Sequence, residues 1–289
     1  MAARLTLLNS MAGEDFPAAL DRHLEWGIRD LDLRDGIYGH WLKSLPVEDA
    51  KVAAGEIRAR DLSVFCLSSS VFFGALEDGR EAFAAEHNRR LEQILPLIDV
   101  FRPNLVRLIA PQMKTRPDDD TAVDRVIGEH GWVFDLFRDA VKRITAAGAR
   151  ATIENEAWKC ILSRPREFTQ FFAELGLGQS VNLTWDVQNQ WATGVFPSLD
   201  MLDEVEPLVA YYHVKGGQHV DGSKKLRWNV ALEDATWPVA EITREVVARG
   251  VSPVICLNPA QHGEDKPGYD YSGIVERDIA FMRKIEGVS

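Results

Sequence analysis

The sequence predicts an α/β fold, a (β/α)8 TIM barrel formed as a single domain over residues 1–289. Three observations carry this. Eight strand-and-helix pairs can be counted along the chain, and they average roughly 31 residues, the usual size of a barrel unit. The strand candidates are short apolar runs without strict alternation, as expected where helices cover a parallel sheet. An open doubly wound sheet is the alternative, but no GxGxxG loop follows the first strand.

The predicted pairs run as follows. Strand Leu5–Leu8 leads to helix Phe16–Trp26, strand Ile28–Leu33 to Val47–Arg60, Ser63–Leu67 to Arg80–Val100, and Leu105–Ala110 to Val123–Ala147. In the second half Ala149–Ile153 leads to Pro165–Leu175, Val181–Trp185 to Leu199–Val205, Val209–Val214 to Pro238–Arg249, and Pro253–Leu257 to Tyr271–Ile285. Gly27, Gly148, Gly176 and Gly250 each follow a helix where a left-handed glycine would end it, and Ser163 precedes Pro165 as an N-cap would. The last helix carries the stripe Val275, Ile279, Met282, Ile285, which marks the face turned to the sheet. Two long loops remain, Lys114–Thr121 and Gly216–Trp237, in positions where barrels grip substrates.

Composition narrows the function. With 46% hydrophobic and 27% charged residues the chain can fill a large core. A net charge of -11, with no basic cluster longer than Lys224-Lys225-Leu226-Arg227, disfavours nucleic acid as a partner. No stretch of 18 apolar residues occurs and the first residues do not read as a signal peptide, so a soluble, cytoplasmic protein without membrane contact is expected. Cys66, Cys160 and Cys256 are far apart and form no CxxC pair, which predicts reduced, buried thiols.

Barrel active sites lie at the carboxyl ends of the strands, so the residues ending each strand are informative. Strand five ends in Glu154-Asn155-Glu156, strand six in Trp185-Asp186, strand seven in His213-Val214-Lys215 and strand eight in Leu257-Asn258. Carboxylates and imidazole converging on one mouth are suited to a divalent ion such as Mn²⁺, Mg²⁺, Co²⁺ or Zn²⁺. Any barrel has polar residues at its mouth, and a lone carboxylate there is usually just solvated. Together, however, buried acids are costly without a cation. Glu156 and Lys215 are further acid–base candidates, and Lys215 suits an oxyanion or carboxylate partner equally. Arg107 on strand four, and Asp32 with Arg34 on strand two, are placed to reach the pocket or to form structural ion pairs. Trp158, Trp185, Trp191 and Trp228 are candidates for an apolar wall against a sugar ring, or for core.

The strings Ile153-Glu154-Asn155, Trp185-Asp186-Val187-Gln188-Asn189 and His213-Val214-Lys215 resemble the xylose isomerase-like TIM-barrel superfamily, over nearly the whole chain. That superfamily includes sugar isomerases, ketose 3-epimerases, inosose dehydratases and endonuclease-IV-type AP endonucleases. The resemblance implies one divalent metal held by Glu154, Asp186, His213 and, at the last place, Asn258. It makes Glu154 a proton-moving candidate as well as a ligand and puts Arg227 where the epimerases carry a substrate-binding arginine; beside these, Lys215 and Glu156 are further catalytic candidates, and Asn189, Trp185 and Arg107 are read toward substrate. It also implies a homo-oligomer, dimer or tetramer.

Two departures matter. Asn258 stands where the epimerases carry a second glutamate, and Asp-x-x-His after strand six reads Asp186-Val187-Gln188-Asn189. An amide ligates through its carbonyl oxygen but cannot shuttle a proton. His262 and Glu264 are candidates to replace the lost ligand. The expected activity is that of a metal-dependent isomerase or epimerase acting next to the carbonyl of a small sugar, keto-polyol or sugar acid. A lyase, either a dehydratase or a decarboxylase of a 3-oxo sugar acid, is one alternative, and a non-catalytic sugar-binding barrel another. The seven histidines of an acidic chain fit a multi-zinc endonuclease poorly.

Overall fold

A computed structural model describes residues 2–157, 159–220, 226–259 and 271–289. Trp158, Lys224, Lys225, His262 and Glu264 lie outside the described residues. The barrel strands are β1 (Arg4–Leu7), β2 (Asp30–Leu33), β3 (Ser63–Ser68), β4 (Leu105–Ile109), β5 (Arg150–Glu154), β6 (Val181–Asp186), β7 (Val209–Val214) and β8 (Val254–Leu257). Neighbours in sequence are parallel neighbours in space from β2 to β8, and β8 then pairs with β1. Between β1 and β2 the ring closes through a Leu8–Asp32 bridge and a hydrogen bond from Thr6 Oγ1 to Asp30 O (2.6 Å). The chain is thus the closed barrel that its eight units predict, not an open sheet.

Ten helices are described: α1 (Phe16–Glu25), α2 (Val47–Ala59), α3 (Arg80–Phe101), α4 (Ala122–His130), α5 (Trp132–Ala146), α6 (Pro165–Leu175), α7 (Val187–Ala192), α8 (Leu199–Val205), α9 (Val239–Ala248) and α10 (Ser272–Met282). Three expectations need correction. The long helix predicted over Val123–Ala147 is broken at Gly131 into α4 and α5. The N-cap of α6 is Arg164 rather than Ser163; the Glu167 carboxylate accepts from the backbone N–H of both residues (2.9 Å each) and so closes the first turn. The six-residue α7 has no counterpart in the prediction.

Side-chain parity divides the core in two. The outward-facing residues of the strands, including Leu67, Ile153, Trp185, Tyr212, Val214 and Leu257, pack under the helices. A smaller set, Phe65, Cys66, Leu105, Tyr211, Val254 and Cys256, fills the barrel interior. The period of two therefore sets Tyr211, His213 and Lys215 on the inner side of one edge of the barrel, and Thr152 and Glu154 on the inner side of β5. Register irregularities at Leu31/Asp32 and Leu183/Thr184 lie just before the inward-facing Asp32 and Asp186. Bulges of this kind commonly re-aim side chains beside active sites.

The loop after β7 is fixed by close approach of backbone. A Cβ on Gly216 would lie 1.7 Å from Val230 O and 2.6 Å from its carbonyl carbon, so no side chain fits. Gly216→Ala is predicted to lower stability by about 1–3 kcal/mol through overpacking, whereas Gly55→Ala, inside α2 with open space around it, is predicted to raise it by about 0.5–1 kcal/mol. Urea unfolding of the two variants checks the pair; a neutral Gly216→Ala would contradict the packing.

Candidate active site

The polar layer at the upper end of the barrel interior is built from four strands. Glu154, at the end of β5, is fully buried, and one of its carboxylate oxygens is ion-paired to the guanidinium of Arg107 from β4, itself 7% exposed. Arg107 Nη2 donates to Ser69 O (3.1 Å), which anchors the guanidinium from behind. The other carboxylate oxygen, Oε1, lies 3.1 Å from His213 Nδ1.

Asp186 both caps α7 and faces the mouth. Its Oδ1 accepts from Asn189 N (2.9 Å) as an N-cap does. Its backbone is clamped by Asn155, whose Nδ2 donates to Asp186 O (2.8 Å) and whose Oδ1 accepts from Asp186 N (2.8 Å). The remaining oxygen, Oδ2, lies 2.7 Å from Lys215 Nζ and 4.0 Å from His213 Nδ1. Lys215 also donates to Asn189 Oδ1 (2.9 Å).

Donor atoms of Glu154, Asp186 and His213 thus lie within 4.8 Å of one another, all buried. Neither ring nitrogen of His213 has a well-directed hydrogen-bond partner among the described residues. Two carboxylates and an imidazole with an unspent nitrogen form a donor set that fits a divalent ion of the Mn²⁺, Mg²⁺, Co²⁺ or Zn²⁺ type. Charge supports the fit: among the described residues four carboxyl groups, Asp32, Glu154, Glu156 and Asp186, interact with two fixed cations, Arg107 and Lys215. Asn258 is 8% exposed, its N–H donates to Val214 O (3.0 Å), and the β7–β8 register sets it level with Lys215.

Burial and charge divide the ionisable groups. Burial pushes the Glu154 carboxyl up, but Arg107, His213 and Lys215 outweigh it and hold the group well below the ordinary carboxylate range. Burial, and then the nearby Glu154 charge, raise Glu156, whose Oε1 accepts from Ala157 N (2.8 Å). Lys215 is opposed by burial, yet Asp186, Glu156 and Glu154 raise it, so it remains an ammonium. Asp32 is raised by burial.

Not every expected site residue reaches this layer. Trp185 lies on the outer side of β6: its neighbour Asp186 points inward, its ring centroid is 5.5 Å from that of Tyr212, and its indole N–H donates to Gln190 Oε1 (2.8 Å). It is a core residue, not a wall of the pocket. Asn189 is in the layer, but its amide is spent on Lys215 and on Asn155 O (3.1 Å), so it orients Lys215 instead of presenting free groups to a substrate. Arg227 is exposed on a two-residue ribbon formed with Gln218–His219, and its Nη1 donates to Gln218 Oε1 (3.3 Å). Trp191 packs edge-on against Phe196 (5.4 Å). Sequence reasoning gave no role to Asn155, although it was part of the string that carried the resemblance.

Among solved structures, the probable 3-DHS dehydratase of petrobactin synthesis from Bacillus anthracis superposes with a TM-score of 0.72 at 14% identity, over 98% of this chain and 99% of that one. A xylose isomerase-like TIM-barrel protein from Mycobacterium smegmatis, in complex with magnesium, gives 0.67 at 14% over 98% and 96%. The fold is that of the xylose isomerase-like TIM barrels. The 3-keto-D-glucoside 4-epimerase from E. coli has it too, with a TM-score of 0.71 at 13% identity over 98% and 99%. No protein-family model and no curated protein sequence matches the chain.

The Arg107–Glu154 pair yields a stability prediction. Arg107→Met leaves a buried carboxylate uncompensated and is expected to cost about 3–5 kcal/mol, most of it recovered in the Arg107→Met/Glu154→Gln double variant. Unfolding of the metal-free proteins in urea checks this; a single variant within about 0.5 kcal/mol of the parent would contradict the pairing.

Proposed function

We propose that the chain is a divalent-metal-dependent enzyme of the sugar isomerase or epimerase kind, moving a proton on the carbon next to the carbonyl of a small sugar, keto-polyol or sugar acid. The observation that carries this is the convergence of Glu154, Asp186 and His213 donor atoms within 4.8 Å in a buried mouth, with both His213 nitrogens lacking well-directed partners among the described residues. Those three residues would hold the ion, with the Asn258 carbonyl oxygen as a further donor. Bound there, the ion would supply Lewis acidity to the substrate's carbonyl and adjacent hydroxyl. The fold shared with the epimerase and dehydratase named above supports the reading.

The protein's own groups divide the remaining work. Glu154, held anionic against Arg107, serves as a ligand and is a poor base. Glu156 is the better candidate for the proton: it is partly exposed, it is not tied into an ion pair with Arg107 as Glu154 is, and burial and the Glu154 charge raise its carboxyl. Lys215 is held as an ammonium by Asp186, and Asn189 fixes its direction, which suits stabilisation of a developing oxyanion or a substrate carboxylate.

A second reading is favoured by Asn258. Epimerisation by two bases needs a group on the opposite face that can return a proton, and an amide cannot. One base with a fixed cation serves an isomerisation or an elimination, so a lyase acting on an oxo sugar acid is the alternative.

Glu154→Ala is predicted to lose bound metal. Glu156→Gln is predicted to keep about one equivalent, yet to slow deuterium uptake from solvent into substrate at least about 100-fold. Metal analysis and mass spectrometry on a panel of keto-sugars and oxo sugar acids measure both. A product lighter than the substrate by one water or one carbon dioxide identifies a lyase; a product of unchanged mass identifies an isomerase. Near-normal exchange in Glu156→Gln would remove it as the base.

A further inference from the structure

Beneath the candidate ligands lies another buried acid with an incomplete set of partners. Asp32 is fully buried on β2, where the register against β3 shifts. Its Oδ2 accepts from Tyr211 Oη (2.7 Å) and lies 3.9 Å from Cys256 Sγ, while its Oδ1 has no hydrogen-bond partner among the described residues. A carboxylate left partly unpaired in an interior is costly, and a specific buried polar group of this kind calls for an explanation.

What Asp32 faces is the back of His213. The imidazole stands between two sets of oxygens: its Nδ1 edge turns to Glu154 and Asp186, and its Nε2 lies 3.9 Å from Asp32 Oδ2. The Tyr211 ring packs edge-on against the imidazole, with centroids 4.5 Å apart and planes at 86°, so the ring is held in this orientation by packing as well. A neutral imidazole has one N–H and one lone pair. If Nδ1 gives its lone pair to an ion held with Glu154 and Asp186, the proton must sit on Nε2, and Asp32 Oδ2, 3.9 Å away, is a carboxylate oxygen placed to accept it.

We infer that Asp32 is a positioning residue for His213: it accepts the Nε2 proton and thereby fixes the tautomer and ring direction that present Nδ1 to the metal. The inference rests on the metal reading above. The present 3.9 Å, to the oxygen that also accepts from Tyr211, is about 1 Å longer than an N–H···O bond, so the proposed bond requires a small approach of Asp32 and the ring when an ion is held at Nδ1. Metal-bound histidines usually have such an outer acceptor, and losing it typically weakens metal binding about 10- to 100-fold.

Calorimetric titration with Zn²⁺ separates the possibilities. Asp32→Ala is expected to bind about 10- to 100-fold more weakly than the parent, Asp32→Asn, which keeps an acceptor, within a few-fold, and Glu154→Ala not measurably. Parent-like affinity in Asp32→Ala, with binding lost in Glu154→Ala, would overturn the role of Asp32 and leave the metal reading standing. No binding by the parent would sink both. A second measurement needs no Asp32 variant. In ¹⁵N-histidine spectra of the Zn²⁺-loaded parent, the resonances missing from His213→Gln are expected to show a protonated Nε2 and a metal-bound Nδ1. The reverse arrangement would overturn the inference.

Discussion

Among the described residues, the upper layer of the barrel interior brings together more carboxyl groups than cations, and the arrangement of the site follows from that imbalance. Arg107 is committed to Glu154 and Lys215 to Asp186, each pair buried. Asp32 and Glu156 remain, and burial raises both. Carboxylates brought this close inside a protein require either protons or a further cation. Of the donors that a cation would need, both His213 nitrogens and Asp186 Oδ2 have no well-directed hydrogen-bond partner among the described residues.

The fold holds this unfavourable layer by tying each member to backbone or to a neighbouring side chain. Asp186 is an N-cap and is clamped by Asn155; Arg107 is anchored to Ser69; Lys215 is directed by Asn189. These ties keep the acids from turning to solvent. They also divide labour among them: Asp186 spends one oxygen on α7 and turns the other to Lys215 and the mouth, while Glu154 spends one on Arg107. Groups held this firmly suit ligation and orientation, and the more exposed Glu156 suits proton transfer.

Much of this is legible in the sequence because strands and helices follow local rules. The ranges Val209–Val214, Pro165–Leu175 and Leu199–Val205 are as the periodicity gives them. Gly27, Gly148, Gly176 and Gly250 all have positive φ, as helix-ending glycines should. The failures have physical causes. Helix α7 is six residues long and rich in amides, so it shows no apolar stripe. Glu167 overrides the local preference for Ser163 as the cap by bonding two backbone N–H groups at once. Of the two roles open to Trp185, wall or core, strand parity selects the core, since an inward Asp186 forces its neighbour outward. The approach of Asp32 to His213 spans 181 positions of the chain and depends on barrel closure and on the register shift in β2. No local pattern encodes either.

The central claim is that Glu154, Asp186 and His213 share one divalent ion, and anomalous diffraction from crystals grown with Mn²⁺ or Zn²⁺ tests it most directly. The account predicts a single strong anomalous peak about 2.0–2.2 Å from a carboxylate oxygen of Glu154, from Asp186 Oδ2 and from His213 Nδ1. No peak there, or a peak whose ligands exclude His213, would contradict it.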